Sequence, residues 1–151
     1  MAPLLLLVTL AVLFWLAGRA GIAVFHHPSF VLRAALGIMF LFTASAHWGK
    51  RRPDLIRMVP PQLPHPELLV TVTGILEILG AIGLFMPRTA QAASICLALL
   101  LLALFPANIR GARENLTIGG QRVLSWPIRG AIQLVFITTL IATAWLKSKR
   151  L

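Results

Sequence analysis

The sequence predicts an all-α transmembrane helical bundle, with four core helices and an extra N-terminal helix. Three observations carry this. Residues 30–48, 67–86, 89–109 and 128–146 each approach the roughly 20 mostly apolar residues that a bilayer-spanning helix needs. Of the 151 residues 58% are hydrophobic and 12% charged, with a mean hydropathy of +0.87, whereas soluble domains are about 25% charged. The charges, 14 Lys and Arg against 4 Asp and Glu for a net +10, sit in short clusters between the apolar runs. That placement suits loops facing anionic lipid headgroups. No basic face is interleaved with aromatics, which argues against nucleic acid as a partner.

Residues 1–25 form a first hydrophobic unit and residues 26–151 a four-helix domain. The stretch 2–25 is apolar but interrupted by Arg19. A cleaved signal peptide fits poorly, because no basic region precedes it and Ala17-Gly18 makes a weak cleavage site. A helix lying on the membrane surface is a second reading. The one adopted is an extra spanning helix whose Arg19 snorkels to the interface. Pro28 then disfavours helix at His27, and Ser29 is the expected N-cap of the next span.

The connection 49–66 opens with Lys50-Arg51-Arg52. Residues 54–59 fit one amphipathic turn with Leu55, Ile56 and Met58 dipping into the interface. Pro60-Pro61-Gln62-Leu63-Pro64-His65-Pro66 favours an extended polyproline strap. Glu67 behind it suits the positive end of the following helix. Pro87-Arg88 is tight enough to make an antiparallel hairpin of the spans on either side. Residues 111–127 read as a loop, and Lys147, Lys149 and Arg150 close the chain. With alternating sides, eight basic residues fall on one face and six on the other, too even to set orientation.

Polar residues inside the apolar runs carry the functional signal. Glu77 lies in mid-span, where an acidic group costs about 2.5–3.5 kcal/mol. It must be protonated, paired or facing a polar cavity. Helical spacing puts Thr73, Gly74, Glu77, Gly80 and Ala81 on one face, so small residues surround the carboxyl. Interhelical glue and a site residue are both open for it. In the preceding span Arg33, Gly37, Phe40, Ala44 and His47 share a face. Antiparallel pairing sets His47 near the Glu67 end, with Glu77 about 15 Å deeper. Arg33 reaches inward from the other side, which suggests an Arg33–Glu77 pair, with snorkelling to headgroups as the alternative. His47 shares a membrane side with Asn108, His65, Trp126 and Arg129, and Gln133 lies one turn beyond Arg129. Together these rim a pocket, or else a headgroup belt. Cys96, the one cysteine, reads as a small apolar packing residue. Only His47 among the four histidines lies in a clear span, so no metal or haem is expected.

Arg33…Gly37…Phe40…His47-Trp48, then Met58-Val59-Pro60-Pro61…Leu63-Pro64…Pro66, then Thr73-Gly74…Glu77-Ile78…Gly80-Ala81…Gly83-Leu84…Pro87 resembles the DoxX family of small membrane proteins. Phe105-Pro106-Ala107-Asn108-Ile109 fits the same pattern, and the resemblance covers about residues 30–146. It implies a four-helix bundle in a prokaryotic inner membrane, with His47, Glu77 and Asn108 at a site. Founding members resemble a small subunit of a thiosulfate:quinone oxidoreductase, and others are linked to redox and oxidative-stress complexes. The N-terminal helix departs from the family pattern. The expected function is therefore a quinone-associated membrane subunit. Glu77 and His47 would handle protons, Arg33, Asn108, Arg129 and Gln133 would contact ligand, and a redox partner or larger complex would supply electrons. An accessory or assembly subunit is the alternative. A transporter is disfavoured by the lack of an evident inverted repeat.

Overall fold

A computed structural model describes residues 1–145. Leu146, Lys147, Lys149 and Arg150 lie outside the described residues. Among the described residues there are six α-helices: α1 (Ala2–Arg19), α2 (Pro28–Ala44), α3 (Arg52–Met58), α4 (Pro66–Phe85), α5 (Ala90–Arg113) and α6 (Trp126–Trp145). A small hairpin, β1 (Thr117–Ile118) and β2 (Gln121–Arg122), precedes α6. Every helix but α3 is long and apolar enough to cross a membrane. The fold is the expected all-α bundle, and the chain is an integral membrane protein.

Spans pack in chain order, α1 on α2, α2 on α4, α4 on α5 and α5 on α6, and a lighter α2–α6 contact closes a four-helix ring. α1 adds Leu7 to the buried core from outside that ring. One end of the bundle collects the start of α1, the end of α2, α3 and the hairpin; we call it the α3 end. Prolines open several helices: Pro3, Pro28, Pro53 and Pro66 each stand in the first two positions, where a missing N–H costs nothing. This corrects the start of α2. Pro28 begins the helix, His27 precedes it in extended backbone, and Ser29 is inside it rather than its cap.

The outer wall is oily. Leu79 and Leu134 are 60% and 62% exposed, and most of the outward positions of α4, α5 and α6 are of the same kind. Such a surface is a liability in water and the natural outer face in lipid. Cys96 belongs to it: α5 buries Ala90, Ala93, Ser94, Leu97 and Ala98, and the cysteine is exposed rather than packed inside. Inside, Leu36, Met39, Phe40, Leu84, Leu97 and Leu140 are at most 2% exposed. They form a dry plug across the ring. Ser94 and Thr143, 3.0 Å apart, join α5 to α6 by a buried hydrogen bond.

Glycines let α4 approach two neighbours. A Cβ on Gly74 would stand 2.7 Å from both the His47 side chain and the Trp48 ring. On the opposite partner, a Cβ on Gly80 would meet Leu97 and one on Gly83 would meet Ala93 at 2.8 Å. The small residues expected on one face therefore divide, Gly74 and Ala81 serving α2 and Gly80 serving α5.

The α3 end departs most from expectation. Helix α3 is a full element of two turns, and its Met58 is buried against Gly111 instead of dipping into lipid. The proline run is not one extended strap: Leu63 N–H donates to Pro60 O at 3.0 Å, and His65 turns the corner at φ +52°. Helix α5 runs on past Ile109 to Arg113, with Pro106 inside it. The segment read as loop then holds the hairpin, whose Gly119-Gly120 turn has φ +58° and +77°, the handedness a two-residue hairpin turn needs. Three ties hold this end together. Arg52 donates to His47 O at 2.8 Å, to Glu67 O at 3.1 Å and to Thr71 Oγ1 at 2.9 Å. Arg110 donates to Val59 O and pairs with Glu114. Asp54 accepts the Gly119 N–H at 2.8 Å and pairs with Arg57.

Three outcomes follow. Gly74→Val drives methyl groups into His47 and Trp48, and should lower unfolding stability in detergent by about 1–3 kcal/mol. Gly130→Ala, whose Cβ meets Phe105 only at 3.8 Å, should leave the melting temperature unchanged or raise it. Asp54 lies outside the spans, and the Gly119 N–H, with Arg57 beside it, holds its carboxyl below the ordinary value of 3.8. A depressed folded-state pKa adds stability that is complete above the unfolded value and lost as pH falls through the folded one. The Gly119 amide resonance in nanodiscs should therefore titrate below pH 3.8, and Asp54→Ala should abolish that titration.

Candidate functional site

A cavity of about 550 Å³ opens at the α3 end and runs inward between α2, α4, α5 and α6. Its wall is mainly apolar, with Met39, Phe40, Leu104, Ile132 and Phe136 facing it. Glu77, His47, Asn108, Arg129 and Gln133 all line it. Five of the six residues expected at a site thus share one space. His65 and Trp126, expected on the rim, do not line it.

Arg33 is the exception. Its Nε donates to Ser29 O at 3.3 Å, and its guanidinium lies 5.7 Å from the Phe30 ring centroid. Among the described residues the ion pairs are Asp54–Arg57 and Arg110–Glu114, so the Arg33–Glu77 pair is not formed. The plug explains why. Phe40, Leu36 and Met39 of the same helix occupy the depth that the guanidinium would have to cross.

Glu77 is 5% exposed and sits on the α4 stripe that faces α2. Thr43 of α2 is its partner, with Oγ1 2.9 Å from Glu77 Oε2 and 3.0 Å from Phe40 O. A hydroxyl has one hydrogen. Both contacts are full hydrogen bonds only if protonated Glu77 donates to Thr43 and Thr43 donates to Phe40 O. When Glu77 is ionised, Thr43 donates to the carboxylate and the Phe40 carbonyl loses that hydrogen. The seam can therefore hold the carboxyl in either state. Thr43 was missed by the sequence reading, since a lone threonine in a span usually bonds its own helix.

His47 ends the 3-10 turn Ser45–His47 that continues α2, and is 7% exposed. Its Nδ1 lies 3.2 Å from Ala44 O. A carbonyl only accepts, so Nδ1 carries the hydrogen and Nε2 of the neutral ring is an acceptor. The ring packs on Gly74, three residues before Glu77. That is about 4.5 Å of helix rise, so His47 sits one turn above Glu77 and not the 15 Å expected from pairing it with Glu67. Arg52, read only as loop charge, takes the Glu67 carbonyl instead. No fully buried side-chain nitrogen or oxygen among the described residues lacks a hydrogen-bond partner. Glu77 Oε1 and His47 Nε2 make no hydrogen bond and line the cavity, so both border its open space.

The facing wall carries a second chain. Arg129 donates to Asn108 Oδ1, Asn108 Nδ2 donates to Gln133 Oε1 at 3.0 Å, and Gln133 Nε2 donates to Leu101 O. The chain ends on backbone and fixes all three side chains.

The large buried apolar side chains lie beyond Glu77, so access to the cavity is expected from the α3 end. In a Cys96→Ser background, Thr73→Cys should react with a membrane-impermeant thiol reagent added on the α3 side. Ala81→Cys, fully buried, should react from neither side. Labelling of position 73 only from the opposite side would overturn that expectation.

Comparison with curated proteins and with solved structures returns no match. Residues 36–147 match the family model described as Domain of unknown function (DUF8561). The match takes in Glu77, His47, Asn108, Arg129 and Gln133 and leaves out α1 and Arg33. Over most of its length, including the whole cavity wall from α4 to α6, this chain belongs to the DUF8561 family.

Proposed function

We propose that the bundle is the quinone-associated membrane subunit of a redox system, as the DoxX resemblance implies, in a prokaryotic inner membrane. One observation carries the reading: an apolar cavity open at one membrane face in which Glu77 Oε1 and His47 Nε2 are both free of protein partners. A quinone is a flat ring with carbonyl acceptors on an apolar tail. Donors for those carbonyls stand at Asn108 and Arg129, and at Glu77 when its proton sits on Oε1 and Thr43 donates to Oε2. The wall at Met39, Phe40, Ile132 and Phe136 suits ring and tail, and 550 Å³ is in the range of small-molecule sites.

A bound quinone supplies uptake of two electrons coupled to two protons. The chain's share is to hold and orient the head and to keep a proton donor beside it. Glu77 can release its proton because Thr43 rotates to donate to the carboxylate left behind. His47 Nε2, one turn nearer the surface, can accept a proton from the α3 side and is positioned to restore Glu77. Electrons come from a partner protein in this account.

The test uses purified wild type and Glu77→Leu with a short-tailed benzoquinone. Leucine is close in size but can neither donate nor accept, and Thr43 still donates to Phe40 O. Binding should weaken about tenfold, in line with loss of one buried hydrogen bond to a polar partner, with the melting temperature preserved. Equal binding in both proteins, or none in either, favours the accessory role in which Glu77 only joins helices.

A further inference from the structure

Arg51 and Arg129 both line the cavity, and neither takes part in an ion pair among the described residues. Asp54 and Glu114 are engaged with Arg57 and Arg110. The carboxyl inside the cavity, Glu77, is bonded to Thr43 and lies much deeper. It is about 16 Å along α4 from that helix's first residue, whereas Arg129 is about 4.5 Å along α6 from its start. Both starts are at the α3 end, so the cavity has cations at its mouth and a protonatable acid at its floor.

Arg129 is not a headgroup-seeking side chain at the rim. An arginine in that role extends outward, but this one is drawn inward onto Asn108, itself fixed by Gln133 and the Leu101 carbonyl. Only one of its five N–H donors is used there. It also stands in the first turn of α6, a turn without an acidic residue, where the helix dipole disfavours a cation. The Arg51 side chain makes no hydrogen bond among the described residues, and it runs along Gly119 of the hairpin. Two guanidinium groups with spare donors therefore border an apolar space and lack an anion.

We propose that Arg51 and Arg129 form an anion-binding collar, and that the cavity takes a single-chain amphiphile with a carboxylate or phosphate monoester head. The head pairs with the guanidinium groups, whose fork geometry matches both anions. The chain lies among Met39, Leu104, Ile132 and Phe136. A cavity of 550 Å³ is in the range of sites for a single small molecule, and one chain of modest length suits it. The inference does not rest on the quinone reading.

The test titrates the purified full chain in mild detergent with dodecanoate, dodecyl phosphate, dodecanol and dilauroyl phosphatidylglycerol, read by native mass spectrometry. Both single-chain acids should bind at least about tenfold more tightly than the alcohol. Arg129→Gln and Arg51→Gln should each weaken the acids about tenfold and leave the alcohol unchanged. Arg51→Gln guards against a folding effect, since that side chain bonds nothing in the protein. Equal binding of acid and alcohol, undiminished acid binding in both variants, or displacement of dodecanoate by the phospholipid would each overturn the proposal. The short-tailed benzoquinone is run in parallel. Acid binding lost in Arg51→Gln with quinone binding intact supports the collar separately, and loss of quinone binding alone leaves it standing.

Discussion

Glycine at position 74 allows the end of α2 to lie directly against α4, and much of the site depends on that close approach. Any side chain there would push His47 and Trp48 away. With the approach made, His47 is set one turn from Glu77, and Thr43, one turn earlier on α2, meets the carboxyl at 2.9 Å. Lipid supplies no hydrophobic force between spans, so close packing and the few interhelical hydrogen bonds must hold them. The α2–α4 seam has both, and it is the place where burying a carboxyl is tolerable.

The rest of the bundle is arranged around this seam unequally. Toward the far side, large apolar residues are fully buried within the ring. Toward the α3 side the ring is open, and the ordered end segments frame the opening. Two arginines, Arg52 and Arg110, tie α3 and the proline turn to the spans through backbone groups, and Asp54 ties the hairpin to α3. The mouth of the cavity is therefore a constructed feature and not a frayed end. A chemistry that takes its ligand from the membrane and its protons from one side fits such a shape better than transport, which requires access from both.

The fold was legible because periodic apolar runs of membrane length leave few alternatives. Membership of the site was legible for a related reason: polar side chains are so costly in a span that Glu77, His47, Asn108, Arg129 and Gln133 stand out, and chain order alone puts four of them near one face. Register was not legible. Reading His47 opposite Glu67 overlooked that Arg52 can satisfy the Glu67 carbonyl while glycine at 74 admits the imidazole. The same limit produced the Arg33–Glu77 pair, which depth alone allowed and the intervening core forbids. The hairpin was missed although Gly119-Gly120 marks it, because strands of two residues carry no periodicity. Cys96 was misplaced because a cysteine gives no hint of which way it points in lipid.

The central claim is that this membrane bundle exists to hold a small amphipathic molecule in a cavity floored by Glu77. Native mass spectrometry of the wild-type protein released from mild detergent tests it most directly, because ligand and partner are weighed together. The account predicts a one-to-one adduct of a few hundred daltons that survives detergent removal and falls away in a variant with the cavity filled, Ala46→Phe. A bare chain, or a chain found only within a larger complex and equally so in the filled variant, would contradict it.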